Sequence, residues 1–368
     1  MLTVPPPVRP SRPLLFLLVH YLVFLLDPED CVTQTTDDAH GTAERSPTPR
    51  DDEQVLVVGE ALIDVVHRAD GTVDHLPGGS PGNVALTLGR LERTTTLATW
   101  IGNDDAGATI QRWLGESGVE MAPGSTGAAS TSTATARLDA EGAATYDFDV
   151  EWRVPAGTAV TSATLAVHTG SIAAVLEPGA SAVHALVKAA RATATITYDP
   201  NVRPALMGDP VDARQSIERL VAITDVVKVS DEDLAWLVSG VNPVEVARDW
   251  LTHGPAIVVV TLGADGAVAV TAAGEQRVAA PRTQVVDTVG AGDSFMGALI
   301  GGLWDVDLLG ADRRDMLRSS DRSVIGHVLA GCVEVTAVTV ARPGANPPCR
   351  QELRQTTPLA LADSSSPG

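Results

Sequence analysis

An aspartate follows a glycine-rich turn at a point where an apolar helix is predicted to begin. The turn is Gly290-Ala291-Gly292, Asp293 comes next, and residues 294–304 are apolar enough to form a buried helix. Backbone N–H groups at the start of a helix can converge on an anion, and a carboxylate beside a bound phosphate can accept a proton from a hydroxyl group. Alternatively, Asp293 is only a helix N-cap, a role that aspartate often fills. Taken alone, the motif leaves both interpretations open.

A second glycine cluster lies nearer the N-terminus, before another predicted helix. It reads Gly78-Gly79-Ser80-Pro81-Gly82-Asn83, and paired glycines let a backbone approach a ligand closely. Asn83 offers hydrogen-bond donors and acceptors. Asp64, which follows the first predicted strand, could accept hydrogen bonds from hydroxyl groups. A turn with an asparagine cap, and a surface acid, would explain the same residues.

A third glycine-containing segment ends a predicted buried strand. It reads Thr261-Leu262-Gly263-Ala264-Asp265-Gly266. Ligands of open parallel sheets bind in the crevice at the carboxyl ends of the strands, which is where this segment is expected to lie. The simpler interpretation is a turn between a strand and a hairpin.

The elements that must position these segments alternate between short β-branched runs and amphipathic helices. Strands are predicted at residues 54–59, 96–101, 163–168, 195–198, 226–229 and 257–261, with a further strand-like run at 283–286 before the Asp293 motif. Such alternation predicts an α/β fold with a mostly parallel sheet covered by helices on both faces. Two predicted hairpins, around residues 69–72 and 139–142, interrupt it. A long helix is predicted at about residues 312–336.

Composition excludes several classes of function. The chain has 368 residues and a formal net charge of −20, and Lys188 and Lys228 are its only lysines, so nucleic acid is not expected as a partner. Neither lysine follows a glycine, which excludes a P-loop. The three cysteines show no metal-ligand spacing. A dinucleotide-binding oxidoreductase would need GxGxxG after the first strand, and Gly59-Glu60-Ala61 does not supply it.

The first 53 residues differ in composition from the rest. Residues 14–26 form an apolar run of thirteen residues, shorter than the roughly 20 needed to span a bilayer, and a polar segment follows that is disordered by composition. Three interpretations compete: an export signal, an interfacial anchor, or translated sequence upstream of the true start. The last is favoured, so residues 1–53 are expected to lie outside the mature enzyme. We therefore predict a cytoplasmic location without stable membrane insertion.

Together, the three glycine segments resemble the ribokinase-like (PfkB) carbohydrate kinases. The resemblance runs in order over about residues 54–348 and rests mainly on Asp287-Thr288-Val289-Gly290-Ala291-Gly292-Asp293, with Gly78-Gly79-x-x-x-Asn83 upstream. It implies a doubly wound, mostly parallel sheet flanked by helices, with a small β-sheet lid. The interrupting hairpins, near residues 65–77 and 131–150, become the lid segments. Residues 349–368 are expected to be a flexible tail.

The resemblance also implies a role for each motif in an ATP-dependent sugar kinase. Asp293 would be the catalytic base, and Gly290, Ala291 and Gly292 would form the anion hole. The residues implied to bind the sugar are Asp64, Gly78, Gly79, Asn83 and Arg203. Those implied to bind the nucleotide are Lys228, Ser230, Thr261, Gly263 and Gly266.

Metal ions are implied on the same basis. Magnesium would accompany ATP. Ser230-Asp231-Glu232-Asp233 stands where many relatives have Asn-x-x-Glu, so Asp233 is expected to reach magnesium through water. A monovalent cation, potassium in many relatives, would be bound by a loop that comprises Asp287, Val289, Arg342 and Gly344.

Two segments point to the fructokinase-type branch. These are His168-Thr169-Gly170-Ser171-Ile172 and Asp199-Pro200-Asn201-x-Arg203. Fructose is therefore the expected substrate, with ribose, 2-keto-3-deoxygluconate, inositol or a nucleoside as alternative acceptors. If the protein is not an enzyme, the alternative is a non-catalytic regulatory module that binds a sugar or nucleotide. The only partners expected are the small-molecule substrate and a second copy of the chain, paired through the lid.

Overall fold

The computed structural model describes residues 53–68, 71–138 and 144–356. Its strands are β1 (Gln54–Val58), β2 (Leu62–His67), β3 (Val73–Gly78), β4 (Thr95–Ala98), β5 (Val119–Met121), β6 (Thr133–Leu138), β7 (Ala144–Asp149), β8 (Thr164–Gly170), β9 (Thr195–Asp199), β10 (Val226–Ser230), β11 (Ile257–Thr261), β12 (Ala267–Thr271) and β13 (Gly274–Val278). Its α-helices are α1 (Ser80–Arg90), α2 (Asp105–Gly115), α3 (Gly179–Ala190), α4 (Pro204–Met207), α5 (Pro210–Val221), α6 (Asp231–Leu237), α7 (Pro243–Leu251), α8 (Ala291–Asp305), α9 (Arg314–Arg318), α10 (Arg322–Val340) and α11 (Arg350–Thr356).

The large sheet is mostly parallel, as predicted from the alternation of strands and helices. Its strand order is β13-β12-β11-β10-β9-β8-β1-β4-β5, and the pairings from β5 through β11 are parallel whereas β12 and β13 are antiparallel. Side chains alternate along each strand: Val55 and Val57 pack with α1, α2, α8 and α10, and Leu56 and Val58 pack with α3, α5, α6 and α7. Apolar β-branched strands buried on both faces are typical of such sheets. The doubly wound fold is confirmed.

The order of the strands reverses next to β1, because the chain first adds β4 and β5 on one side and then β8 to β11 on the other. Such a reversal opens a crevice at the carboxyl ends of the strands. Gly170, Asp199, Ser230 and Thr261 end four of these strands. The helix starts of α1 and α8 meet at the same edge, since their first residues contact each other through Ser80 and Asp293.

A separate sheet of four strands projects from this edge. Its order is β3-β2-β6-β7, with two antiparallel hairpins joined by parallel pairing of β2 with β6. The hairpin strands agree with the predicted interruptions of the α/β pattern. The central turn residues 69–70 and 139–143 lie outside the described residues.

Two sequence-based expectations are corrected. Residues 283–286 form a loop rather than a strand, with the side chains of Val285 and Val286 exposed. The N–H group of Val286 donates to the carbonyl of Val340, at the end of a helix, so no neighbouring strand pairs with it. The long helix predicted at 312–336 is divided into a 3₁₀ turn, α9 and α10, because Asp321 caps a new helix by accepting from Ser323.

The C-terminal residues begin with a helix rather than a flexible tail. Leu353 of α11 packs against the core, and Glu352 pairs with Arg342. Within the described part of the chain, α10 alone is long and apolar enough to cross a membrane, and seven of its nineteen residues are buried inside the protein. The apolar run at 14–26 and residues 357–368 lie outside the described residues.

Candidate active site

The glycine turn before Asp293 fixes the start of α8. Gly290 is the N-cap residue, with φ +73°, and a Cβ atom there would lie 2.6 Å from the Cβ of Ala345. Only glycine meets both conditions without strain. The helix starts directly after it, since the N–H group of Ser294 donates to the carbonyl of Gly290 at 2.8 Å. The first N–H groups of a helix have no partner within the helix, and here that of Ala291 donates to the Thr288 carbonyl at 3.2 Å. A turn of this kind can present its remaining donors to an anion.

Asp293 lies in the first turn of α8 and is buried. Three side chains donate to its carboxylate: Ser80 Oγ to Oδ1 at 2.7 Å, Asn83 Nδ2 to Oδ2 at 2.8 Å, and Asn201 Nδ2 to Oδ1 at 3.1 Å. The two glycine clusters, about two hundred residues apart in the chain, are thus in direct contact. A simple N-cap role is excluded for Asp293, because Gly290 is the N-cap residue.

Gly78 and Gly79 allow the second cluster to pass close to two acidic residues. A Cβ atom on Gly78 would lie 2.3 Å from Asp64 Oδ2, and one on Gly79 would lie 2.7 Å from the carbonyl of Glu60. Gly79 also has φ +97° and is the N-cap of α1. Each glycine is therefore required by a close approach.

Asp64 lies within β2, opposite Leu76 of the hairpin, rather than on a surface turn. The pKa of its carboxyl group is raised to about 6. Burial is the main cause, while the nearby charge of Arg203 lowers the pKa in part and that of Asp293 raises it. Asp64, Arg203 and Asp293 therefore lie close enough for their charges to interact.

Arg203 lies in the loop that follows β9, and its side chain bonds to other residues of this loop. Its Nη1 donates to Asn201 Oδ1 at 2.6 Å, to the Asn201 carbonyl at 3.2 Å and to the Val202 carbonyl at 3.1 Å. The same guanidinium acts on the buried carboxyl group of Glu60, whose pKa burial raises to about 7. Glu60 in turn accepts from the N–H group of Ala173 at 3.2 Å.

Lys228 is buried beneath the glycine turn. Its Nζ lies 2.7 Å from Asp199 Oδ2, and a Cβ atom on Gly292 would lie 2.8 Å from the same Nζ. Burial by itself lowers the pKa of Lys228, but the carboxylates of Asp199, Asp233 and Asp293 reverse the effect and raise it. Lys228 is therefore a cation placed directly behind the anion-binding turn.

The other predicted nucleotide residues line the next two strand ends. Ser230 and Thr261 are paired in the register of β10 and β11. Gly263 and Gly266 adopt positive φ values of +53° and +90° in the turn after β11, and a Cβ atom on Gly266 would lie 2.1 Å from the Val278 carbonyl. The structure thus gathers these four residues at one end of the crevice.

Asp233 has a structural use that the sequence did not suggest. Ser230 and Asp233 form a capping box at the start of α6, and Asp233 Oδ1 also accepts from the N–H group of Val202 at 3.0 Å. An ionised carboxylate retains further acceptor capacity. Within residues 53–68, 71–138 and 144–356, there is no group of three or more His, Cys, Asp or Glu side chains that could hold a metal ion alone.

The residues of the predicted monovalent-cation loop also come together. Asp287 accepts from the N–H groups of Val289 at 3.0 Å and of Gly344 at 2.8 Å. The side chain of Arg342 turns away to pair with Glu352. Carboxylate and backbone carbonyl oxygens remain, and this donor set suits a hard cation.

Sequence reasoning missed four residues of the site: Ser80, Asn201, Asp199 and Glu60. Each lies inside or next to a quoted motif, but nothing in the linear sequence tells which of these side chains reaches Asp293. Their roles become clear only in the folded structure, where the ends of separate strands lie side by side.

The chain as a whole is similar to known proteins. The sequence model for pfkB family carbohydrate kinase matches residues 52–323. A fructokinase from Rhizobium leguminosarum bv. trifolii is 36% identical over 262 residues, covering 68% of this chain and 79% of the relative.

Solved structures share the fold. The fructokinase of Xylella fastidiosa with bound ATP has a TM-score of 0.70 and 24% identity, covering 83% of this chain and 98% of that one. A double mutant of the fructokinase of Vibrio cholerae O395, bound to fructose, ADP and potassium ion, has a TM-score of 0.61 and 25% identity, covering 80% and 94%.

Proposed function

Because the chain belongs to the pfkB family of carbohydrate kinases, we propose that it is a fructokinase in which Asp293 accepts a proton from a fructose hydroxyl as that oxygen attacks the γ-phosphate of ATP. The broader class, an ATP-dependent sugar kinase, follows from the family. One observation carries the assignment of the base: Asp293 lies at the anion-binding start of α8, and Ser80 and Asn83 from the other glycine cluster hold its carboxylate.

Phosphoryl transfer needs positive charge around the transferring group more than covalent help. Gly290, Ala291 and Gly292 would donate N–H groups to that phosphate. Lys228, 2.7 Å from Asp199 and just behind Gly292, adds a buried cation to the same place. Donors and charges fixed in advance in a site with little water stabilise the transition state without reorganisation.

The sugar would lie on the other side of Asp293. Asn83 uses its amide N–H₂ group on Asp293, and its Oδ1 is buried and accepts no hydrogen bond within the described part of the chain, so it suits a sugar hydroxyl. Asp64 would accept from another hydroxyl, Gly78 and Gly79 leave room for the ring, and Arg203 supplies donors.

ATP would extend from the start of α8 along Ser230, Thr261, Gly263 and Gly266. Magnesium ion, which binds phosphates and keeps several waters, offsets phosphate charge when ATP is bound, and Asp233 has an acceptor site to offer its water shell. Asp287, with the backbone of Val289, Arg342 and Gly344, would hold the potassium ion. Both assignments agree with the oxygen donors present.

The four-stranded sheet would act as a lid over the sugar and exclude water during transfer. Among the described residues, no further strand pairs with the outer edges of β3 and β7, and through these edges two copies would form a homodimer. We place the enzyme in the cytoplasm, without stable insertion into a membrane.

The assignment is tested by a coupled assay of ADP release with fructose, ribose, 2-keto-3-deoxygluconate, inositol and adenosine, each with and without potassium. Fructose should give the highest kcat/KM. Asp293→Asn should lower kcat by about 10²–10⁴-fold. Asp305→Asn, at the exposed far end of the same helix, is the matched control and should keep wild-type turnover.

Wild-type turnover in Asp293→Asn would refute the catalytic role. A higher kcat/KM with another acceptor would change the substrate but keep the kinase. Sugar binding without ADP release across the whole panel would favour a non-catalytic sugar-binding module.

A further inference from the structure

The loop between β9 and α4 carries a residue that contacts the catalytic base but was not among the predicted site residues. Asn201 adopts φ +37°, a left-handed conformation that asparagine tolerates better than most residues. Its Nδ2 lies 3.1 Å from Asp293 Oδ1. Ser80 and Asn83 reach Asp293 from α1, so Asn201 is the donor that comes from the other side of the strand reversal.

The amide of Asn201 has only one favourable orientation. A guanidinium group has donors and no acceptor, and a carboxylate that is ionised has acceptors and no donor. Arg203 Nη1 donates to Asn201 Oδ1 at 2.6 Å, which leaves Nδ2 for Asp293. A flipped amide would place N–H against guanidinium and oxygen against carboxylate.

Two buried or partly buried acids hold the backbone of the same loop. Asp199 Oδ1 accepts from the N–H group of Asn201 at 3.3 Å, while its Oδ2 binds Lys228. Asp233 Oδ1 accepts from the N–H group of Val202 at 3.0 Å and joins the loop to the capping box of α6. The loop is thereby fixed to strand β9, to Lys228 under the anion-binding turn, and to the helix after β10.

We propose that Asn201 is a positioning residue for phosphoryl transfer. Arg203 orients the amide of Asn201, and this amide holds the plane of the Asp293 carboxylate toward the attacking hydroxyl. This rests on the proposed function of Asp293. Ser80 and Asn83 bond the two oxygens of the carboxylate, but both come from α1. Asn201 adds a second donor to Oδ1 from the loop after β9 and restricts the carboxylate further, so the base is ready before the sugar arrives.

Two substitutions separate the amide from the backbone conformation. Asn201→Gly accepts φ +37° without strain but lacks the amide, and Asn201→Asp keeps the shape but lacks the donor when ionised. We expect each to lower kcat by about 10–100-fold with the KM for ATP changed less than about 3-fold. A purely conformational role predicts that Asn201→Gly keeps wild-type kcat.

Asn242→Ala is the matched control. Asn242 is exposed and caps α7 by accepting from the N–H group of Val244 at 2.9 Å, a bond within its own helix, so its loss should shift thermal unfolding but leave kcat unchanged. For Asn201→Gly, the thermal midpoint should stay near the wild-type value while kcat falls.

A double-mutant cycle completes the test. In Asp293→Asn, adding Asn201→Gly should change the residual kcat less than about 2-fold, because residues that act as a unit are not additive. Wild-type kcat in Asn201→Gly, or an equal loss in both backgrounds, would overturn the positioning role while Asp293 stays the base. Wild-type turnover in Asp293→Asn would instead remove the function on which the inference rests.

Discussion

The ammonium group of Lys228 lies 2.7 Å from the carboxylate of Asp199, and both side chains are buried in neighbouring strands of the large sheet. The strands β9 and β10 are parallel, so both groups reach the carboxyl edge beneath the start of α8. A buried pair of this kind contributes little net stability, but removal of one partner destabilises the protein strongly. Its position next to Gly292 connects it to the turn that we propose binds phosphate.

Gly292→Ala should lower kcat through this contact. The added methyl group would lie 2.8 Å from Lys228 Nζ, so the ammonium must move away from the anion-binding turn. A displacement of about 1 Å in such a site can reduce turnover about 10²-fold, and we expect a fall of about 10-fold or more by the ADP assay.

Gly301→Ala is the control in the same helix. Its methyl group would meet only ordinary contacts, at 3.8 Å from Leu91 and 4.0 Å from Arg93. Alanine in a helix is favoured over glycine by roughly 0.5–1 kcal/mol. The control should be as stable as the wild type or more so, with unchanged kcat; equal activity of Gly292→Ala would contradict the role of the contact.

Lys228→Met should destabilise the protein because it leaves the carboxylate of Asp199 buried without its cation. Breaking such a pair costs about 3–5 kcal/mol, whereas replacing both partners by neutral groups can be nearly neutral. The double variant Lys228→Met, Asp199→Asn should therefore recover more than half of the lost free energy of unfolding, measured with urea.

The exposed pair Arg214 and Glu218 serves as the comparison for this cycle. Its atoms are 2.7 Å apart, yet both side chains are more than a third exposed, so Arg214→Met should change stability by less than about 1 kcal/mol. If Lys228→Met were as mild, the buried pair would not be coupled in the way its geometry implies.

Asp64→Asn should weaken the binding of fructose rather than of ATP. Asp64 lies against Gly78 in the small sheet and faces the charges of Arg203 and Asp293. Loss of hydrogen bonds from a charged acceptor costs roughly 1.5–3 kcal/mol, so the KM for fructose should rise about 10–100-fold. Asp74→Asn, in the partner strand of the same hairpin, should leave both KM values unchanged. A rise in the KM for ATP alone would argue against a sugar contact.

The local sequence was enough to predict the buried strands that lead to the motifs. Continuous β-branched runs such as residues 257–261 form buried parallel strands because both faces of the sheet are covered. Residues 283–286 also contain β-branched side chains, at Thr283, Val285 and Val286, but have no neighbouring strand, and the run stays a loop. Strand preference expresses packing on a sheet and disappears where no sheet is available.

The composition of the site depends on contacts that cross the whole chain. Asp293 could be identified because its glycine turn is local. Ser80 and Asn201 could not, since they reach Asp293 from separations of 213 and 92 residues. The ion pair between Lys228 and Asp199 could not be identified either, since it joins two strands at a separation of 29 residues. Val227 and Val229 pack on the face of β10 that α3, α5, α6 and α7 cover, so Lys228 lies on the other face, next to Gly292.

The free energy of unfolding of Glu60→Gln should increase relative to that of the wild type as pH rises. Burial raises the pKa of Glu60 from 4.5 to about 7, although hydrogen bonds and the charge of Arg203 lower it in part. Between pH 4.5 and about 7, the folded protein therefore retains a proton that the unfolded chain has released. The contribution of Glu60 to stability falls as pH rises through this window and is constant above it.

The size of the effect follows from the pKa difference. It corresponds to about 3 kcal/mol between the two ends of the window. Glutamine is neutral at every pH, so the difference in free energy of unfolding between Glu60→Gln and the wild type should grow by an amount of that order from pH 5 to pH 8. Urea unfolding at several pH values measures it, with Glu177→Gln at an exposed position as the control. A difference that does not change with pH would mean that Glu60 is ionised throughout, and that Arg203 compensates its burial fully.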